Sequence, residues 1–125
     1  MNSKAIDAWH HILDSRKPEM LRDLLDDNVI FHSPVVHTPQ VGKSITLTYL
    51  TAAFYVLYNE SFKYVREVIN DYDAALEFTV EIDGLFVNGV DLITWNDNDK
   101  IIDFKVMIRP LQAVNLIHQK MSNKL

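Results

Sequence analysis

The chain contains no cysteine, which excludes disulfides, thiolate metal sites and a cysteine nucleophile together. Glycine and proline are scarce, three and four residues in 125, and with 48% hydrophobic and 23% charged residues no low-complexity or disordered segment is expected. Positive charge is in deficit: 12 Lys and Arg against 17 Asp and Glu give a net charge of −5. No basic cluster is long enough to track a phosphate backbone, so nucleic acid is not an expected partner. The best apolar stretch falls short of a membrane span, and Met1–Asp7 lacks the basic, apolar, small-residue order of a signal peptide. The expectation is therefore a cytoplasmic protein with no membrane partner. Also missing are a glycine-rich phosphate loop, a P-loop and a G-x-S-x-G elbow, which removes nucleotide-dependent and serine-hydrolase chemistry. His10 and His11 are adjacent and diverge on a helix, while a proline-containing loop separates His32 from His37, so no metal site is expected.

What is present fits one domain spanning residues 1–125, long enough for a two-layer core and too short for two. Ser3 can cap a helix to about Ser15, with Ile6, Trp9, Ile12 and Leu13 at helical spacing on its core face. Pro18 opens a second, short helix through Met20, Leu21, Leu24 and Leu25, which Asp26 and Asp27 break. Val29, Phe31 and Ser33 alternate with Ile30 and His32 in a brief strand halted by Pro34, and 33–40 reads as a loop. From Lys43 to Asn59 the pattern is helical, with no charge between Ser44 and Tyr58, so this helix should be buried on most sides. Strands follow at about 62–68, 74–82, 87–95 and 101–108, joined by turns at 70–73, Asp83-Gly84 and 96–99 into an antiparallel meander. Pro110 either ends the last strand or starts a terminal helix through Leu111, Val114, Ile117, His118 and Met121, whose spacing favours the helix. Helices first and strands after argue an α+β fold.

Side chains alternate across a strand, so Leu76, Phe78, Val80 and Ile82 share an apolar face. If Asp83-Gly84 closes a two-residue hairpin, in either of two registers, Val87, Gly89, Asp91, Ile93 and Trp95 are the set facing them. Asp91 thus lands among hydrophobics, where it must find a partner or hold its proton, and either state serves proton transfer. The alternative is a structural role in a local turn or an ion pair. Arg109, between Ile108 and Pro110, also calls for a carboxylate, with Asp91 and Glu77 as candidates, but the length of the 96–100 loop leaves its face open. His32 ends a strand where an imidazole can meet a cavity mouth as acid or base, or simply face solvent. Of Tyr49, Tyr55 and Tyr58 on the long helix, Tyr49 is the preferred phenol donor. Asp91, Arg109, His32 and Tyr49 are the candidate catalytic residues, and Phe54, Phe78, Ile93, Trp95 and Met107 the candidate apolar ligand contacts.

The element order, Phe31-His32-Ser33-Pro34 followed by Gly42-Lys43, and the closing 91–95 and 100–102 hairpin resemble the nuclear-transport-factor-2-like superfamily. Val87-Asn88-Gly89-Val90-Asp91-Leu92 with Val106-Met107-Ile108-Arg109-Pro110-Leu111 resembles its SnoaL-like, polyketide cyclase-like branch. The resemblance implies a cystatin-like, cone-shaped curved antiparallel sheet packed against N-terminal helices around a deep cavity. It further implies homodimers through the sheet's outer face and, in members that are enzymes, acid/base chemistry without a cofactor, as in cyclases and ketosteroid isomerases. Three functions stay open: an isomerase, cyclase or hydratase acting on a small hydrophobic molecule, a non-catalytic binder of such a ligand, and a dimeric interaction module.

Overall fold

The structure is a computed structural model that describes residues 3–125; the first two residues of the Met1–Asp7 segment lie outside the described residues. Ser3 caps helix α1 (Lys4–Ser15), its Oγ accepting the Ile6 N–H at 3.2 Å, and Ile6, Trp9, Ile12 and Leu13 bury the predicted stripe. A 3-10 turn at Pro18–Met20 leads into a single helical turn, α2 (Leu21–Leu24). Strand β1 (Leu25–His32) starts earlier than its sequence suggests, because Asp26 and Asp27 sit on an irregular strand edge rather than ending a helix. A short β2 (Gln40–Val41) precedes α3 (Lys43–Leu57). Strands β3 (Lys63–Ile69), β4 (Asp73–Ile82), β5 (Leu85–Trp95) and β6 (Ile101–Arg109) follow, and α4 (Leu111–Lys124) forms the predicted terminal helix.

The α+β reading holds, with helices packed on one curved sheet, and the expected four-stranded antiparallel meander is present as β3 to β6, but the sheet is larger and mixed rather than purely antiparallel. It has six strands in the order β2-β1-β6-β5-β4-β3, and β1 runs parallel to β6. Parallel neighbours need a long crossover, which α3 and the four intervening strands provide. Burial of α3 is also less complete than its uncharged run suggests. Leu50 and Phe54 are buried, whereas Tyr55 on the opposite side is 63% exposed. Among the described residues no helix is long and apolar enough to cross a membrane.

The β4–β5 hairpin sets the register of the whole interior. Asp83 at φ 52° and Gly84 at φ 79° make a two-residue turn with both residues in the left-handed region, which suits Asp-Gly and pairs Ile82 with Leu85. Counting back along the ladder, Phe78 faces Gly89 and Leu76 faces Asp91, all on the helix-covered side. Gly89 is needed there for a steric reason: a Cβ at that position would lie 2.4 Å from Phe78 Cζ and 2.9 Å from the Met107 carbonyl oxygen. The Phe78 ring is hemmed in by Phe62 and Tyr64, at centroid distances of 5.1 and 6.4 Å, and has little freedom to yield. Gly89→Ala is therefore expected to destabilise the fold by about 1–3 kcal/mol, the usual range for an overpacked core, read as a lower urea midpoint. An unchanged midpoint would mean that Phe78 has another place to go.

Candidate functional site

Three strands and one helix build the site. Tyr64 on β3 points inward opposite Phe78 on β4, and Asp91 points inward from β5, the next strand over. Neighbouring strands lie about 4.8 Å apart, so a long phenol can lean across β4 and meet a short carboxyl two strands away. It does so: Tyr64 Oη donates to Asp91 Oδ2 at 2.6 Å. From α1, Trp9 Nε1 donates to the same Tyr64 oxygen at 2.9 Å, and its ring packs edge-on against Phe104. An indole nitrogen only donates, so the Tyr64 oxygen is the acceptor there while its own hydrogen points to the ionised Asp91. Among the described residues no protein group bonds the other oxygen, Oδ1.

Asp91 is 6% exposed and borders a cavity of about 50 Å³. The other walls are apolar or aromatic, including Leu21, Leu50, Phe54, Phe62, Phe78 and Phe104. Burial pushes the Asp91 carboxyl up from 3.8 to about 7, and the Tyr64 hydrogen bond opposes that rise. Burial, then the adjacent Asp91 charge, raise the Tyr64 phenol well above its ordinary 10.0, so it remains a donor. The cavity is far smaller than the deep cone that the resemblance implies, because the aromatic rings of α1, α3 and the sheet converge in it and fill most of it.

The other candidates separate. Phe54 and Phe78 line the cavity with Asp91. Ile93 and Trp95 are buried further along β5 and do not line it; the Trp95 indole donates to the Asp71 carbonyl at 3.0 Å, at the sheet's end. Arg109 pairs in register with Asn88, one residue out of phase with Asp91, and so faces the opposite side of the sheet. There its Nη1 lies 3.4 Å from Asn88 Oδ1, and Glu77, the other candidate partner, meets Arg66 instead at 3.4 Å. Met107 shares that outer face and is 49% exposed. Phe31 points inward, which turns His32 outward onto Asp103 at 3.1 Å. Tyr49 packs on Phe31, with ring centroids 5.5 Å apart, away from the cavity wall.

Sequence reasoning missed Tyr64 and assigned Trp9 only to the core. A signal for Tyr64 exists, since Phe62 and Tyr64 alternate with Lys63 and Val65 at the start of β3, but its partner lies two strands away, beyond any local pattern.

The chain matches no family model and shows no significant similarity to curated proteins. Solved structures are similar to it over nearly all its length. A steroid delta-isomerase from Pseudomonas aeruginosa superposes with a TM-score of 0.90 at 28% identity, covering 96% of this chain and 88% of the other. An uncharacterized bacterial protein with a cystatin-like fold from Silicibacter pomeroyi gives 0.88 at 28% identity, covering 97% and 84%. An NTF2-like protein of unknown function from Mesorhizobium loti gives 0.73 at 14% identity, covering 86% and 89%, a likeness of fold alone.

The raised carboxyl makes stability depend on pH in a defined direction. The native carboxyl keeps its proton up to about pH 7, the free carboxyl only to 3.8. Its contribution is thus full below 3.8 and is lost as pH rises through about 7, a difference on the order of 4 kcal/mol. Asp91→Asn should remove this dependence, so urea midpoints of the wild type should fall relative to the variant between pH 4 and 8. Parallel curves would show that the carboxyl is not desolvated.

Proposed function

We propose that this chain is a SnoaL-like pocket protein of the nuclear-transport-factor-2-like superfamily in which Asp91 binds, or exchanges a proton with, a small hydrophobic molecule. The observation that carries this reading is the Asp91 carboxyl in an apolar cavity wall, one oxygen held by Tyr64 and the other without a protein partner. With a pKa near 7 the group is populated in both states at neutral pH. Protonated, it donates to a ligand carbonyl; ionised, it takes a proton from an acidified carbon or a hydroxyl. A cofactor-free isomerisation asks for one such group that removes a proton and returns it, and Tyr64 acts as the positioning residue that fixes the carboxyl plane. The steroid delta-isomerase similar to this chain supports isomerase chemistry as the first class to test.

A second reading, non-catalytic binding, is favoured by one feature: the only ionisable side chains that line the cavity are Asp91, Tyr58 and Tyr64, and the Tyr64 hydrogen is already committed. Arg109 and His32, proposed from sequence as partners in the chemistry, have no place in either reading because they face away. Self-association completes the proposal. The outer face of the sheet presents Val68 and Met107, 55% and 49% exposed, between Arg66 and Arg109 on one hand and Glu77 on the other, a set able to complement a second copy of itself about a two-fold axis.

Turnover of steroid enones, other enones, epoxides and lactones is the assay. On any compound accepted, Asp91→Asn should lower kcat by about 10²- to 10⁴-fold, the usual contribution of an acid/base group. Tyr64→Phe should shift the inflection of the pH profile above the wild-type value of about 7, because it deletes the bond that opposes the rise. Ligand binding that depends on Asp91 with no turnover across the panel would select the binder. For self-association, sedimentation velocity should give a dimer for the wild type and a monomer for Met107→Asp, and a wild-type monomer would remove that part.

A further inference from the structure

The cavity beside Asp91, at about 50 Å³, holds only a few water molecules. Pockets for drug-sized ligands run to roughly 300–1,000 Å³. A ligand of that kind must therefore continue past the cavity wall. Directly outside, between α1 and the start of β3, lies a groove of about 320 Å³ whose polar lining is His10, Asp14, Lys63 and Glu67. Leu13, Tyr58, Phe62 and Tyr64 border both spaces, so the partition between them is one side chain thick.

Three of those four side chains are held in place. Leu13 belongs to the buried face of α1, Tyr64 is bonded to Trp9 and Asp91, and Phe62 stacks on Phe78 at 5.1 Å with 26° between the rings. Tyr58 differs in that the one hydrogen bond on its side chain is long and goes to an exposed carboxylate, Asp14. It follows the last residue of α3 with φ −91° and ψ 73°, outside helical geometry. Its N–H reaches the Phe54 carbonyl at 2.9 Å, and its own carbonyl accepts from Arg16 at 3.2 Å. The following turn is tied to β4 where Asn59 Nδ2 donates to the Glu81 carbonyl at 2.9 Å. The ring, by contrast, rests on Phe54 and Phe62 under the Arg16 guanidinium, and its hydroxyl reaches Asp14 Oδ1 at only 3.4 Å, close to the limit of a hydrogen bond. On a fixed backbone, a ring that borders the open groove and keeps only this long polar bond moves about its own side-chain bonds alone.

We propose that Tyr58 is the door between an inner and an outer half of one ligand site, and that the ligand is an uncharged amphipath whose apolar body passes the door while a polar end stays in the groove. The inner half rests on the reading of Asp91 given above. The preference for an uncharged polar end follows from the groove, where acids and bases alternate: Asp14 and Glu67 stand beside Lys63 and His10, and His10 Nε2 lies 2.9 Å from Glu67 Oε1. Such a lining offers acceptors and donors together, which a hydroxyl, itself both donor and acceptor, can satisfy at once.

Stopped-flow fluorescence with 2-naphthol and with a 2-naphthol carrying a 6-hydroxyethoxy tail tests both halves. Tyr58→Ala should raise the association and dissociation rates of 2-naphthol together, by tenfold or more, as removal of a barrier common to entry and exit requires. Asp14→Ala, which deletes the bond to the ring together with one groove acceptor that the untailed 2-naphthol does not reach, should move both rates in the same direction and serves if the first variant does not fold. The tail should tighten wild-type binding by about two- to tenfold, the contribution of one added hydrogen bond, and Lys63→Ala with Asp14→Ala should abolish that gain. Rates unchanged in both door variants, or a tail without effect, would overturn the proposal while leaving Asp91 in its role. If instead 2-naphthol fails to bind, or binds Asp91→Asn as well as the wild type, the inner anchor falls and the door falls with it.

Discussion

An indole N–H donates a hydrogen bond and never accepts one, and the direction of the whole site follows from that. Trp9 on α1 donates a hydrogen bond to the Tyr64 oxygen, Tyr64 directs its only hydrogen to Asp91, and the carboxyl is left with one oxygen satisfied and one facing the hollow. Each link also ties together parts of the fold that share no backbone hydrogen bond: the first helix, the edge strand and the centre of the sheet. Trp9 is thus a packing residue that also sets the polarity of a chain ending at the one buried acid. Replacing it by another apolar side chain would preserve volume but free the Tyr64 hydroxyl to turn.

That chain is possible only because the sheet is in register. Side chains alternate with a period of two, so a slip of one residue at the Asp83-Gly84 turn would carry Asp91 to the outer face and bring Asn88 or Val90 inward. The left-handed pair at the turn fixes the pairing at one end, and the close approach of Phe78 to Gly89 fixes it midway, since no residue with a Cβ fits beneath that ring. Phe78 in turn supports the wall against which Tyr64 and Phe62 lie. The same constraint disposes of Arg109, because the parity that turns Asp91 inward turns Arg109 out.

Local pattern and turn chemistry carried the reading of the sequence a long way. Apolar periodicity places α1, α3 and α4, alternation places four strands, and the Asp-Gly turn puts Asp91 among hydrophobics. Two kinds of feature were out of reach. One is the pairing of β1 with β6, which joins segments some seventy residues apart and leaves no mark in either. The other is the length of the 96–100 turn, where an irregularity between Thr94 and Trp95 sets the parity of the last strand and hence of Met107 and Arg109. Tyr64 belongs with the first kind: its inward direction follows from alternation, but its partner follows only from the order of strands.

Asp91 is hard to account for by stability. Its neighbours across the two ladders are Leu76 and Val106, so an aliphatic side chain would continue the apolar wall, whereas a carboxyl with a pKa near 7 opposes folding whenever it ionises. A structural acid in such a position would be expected to have both oxygens engaged by the protein. Here the engaged oxygen is held by a relay that begins on another layer of the fold, and the open one borders the cavity. The unfavourable burial and the unused hydrogen-bonding capacity fall on the same atom group, and a ligand that supplies the missing partner relieves both at once.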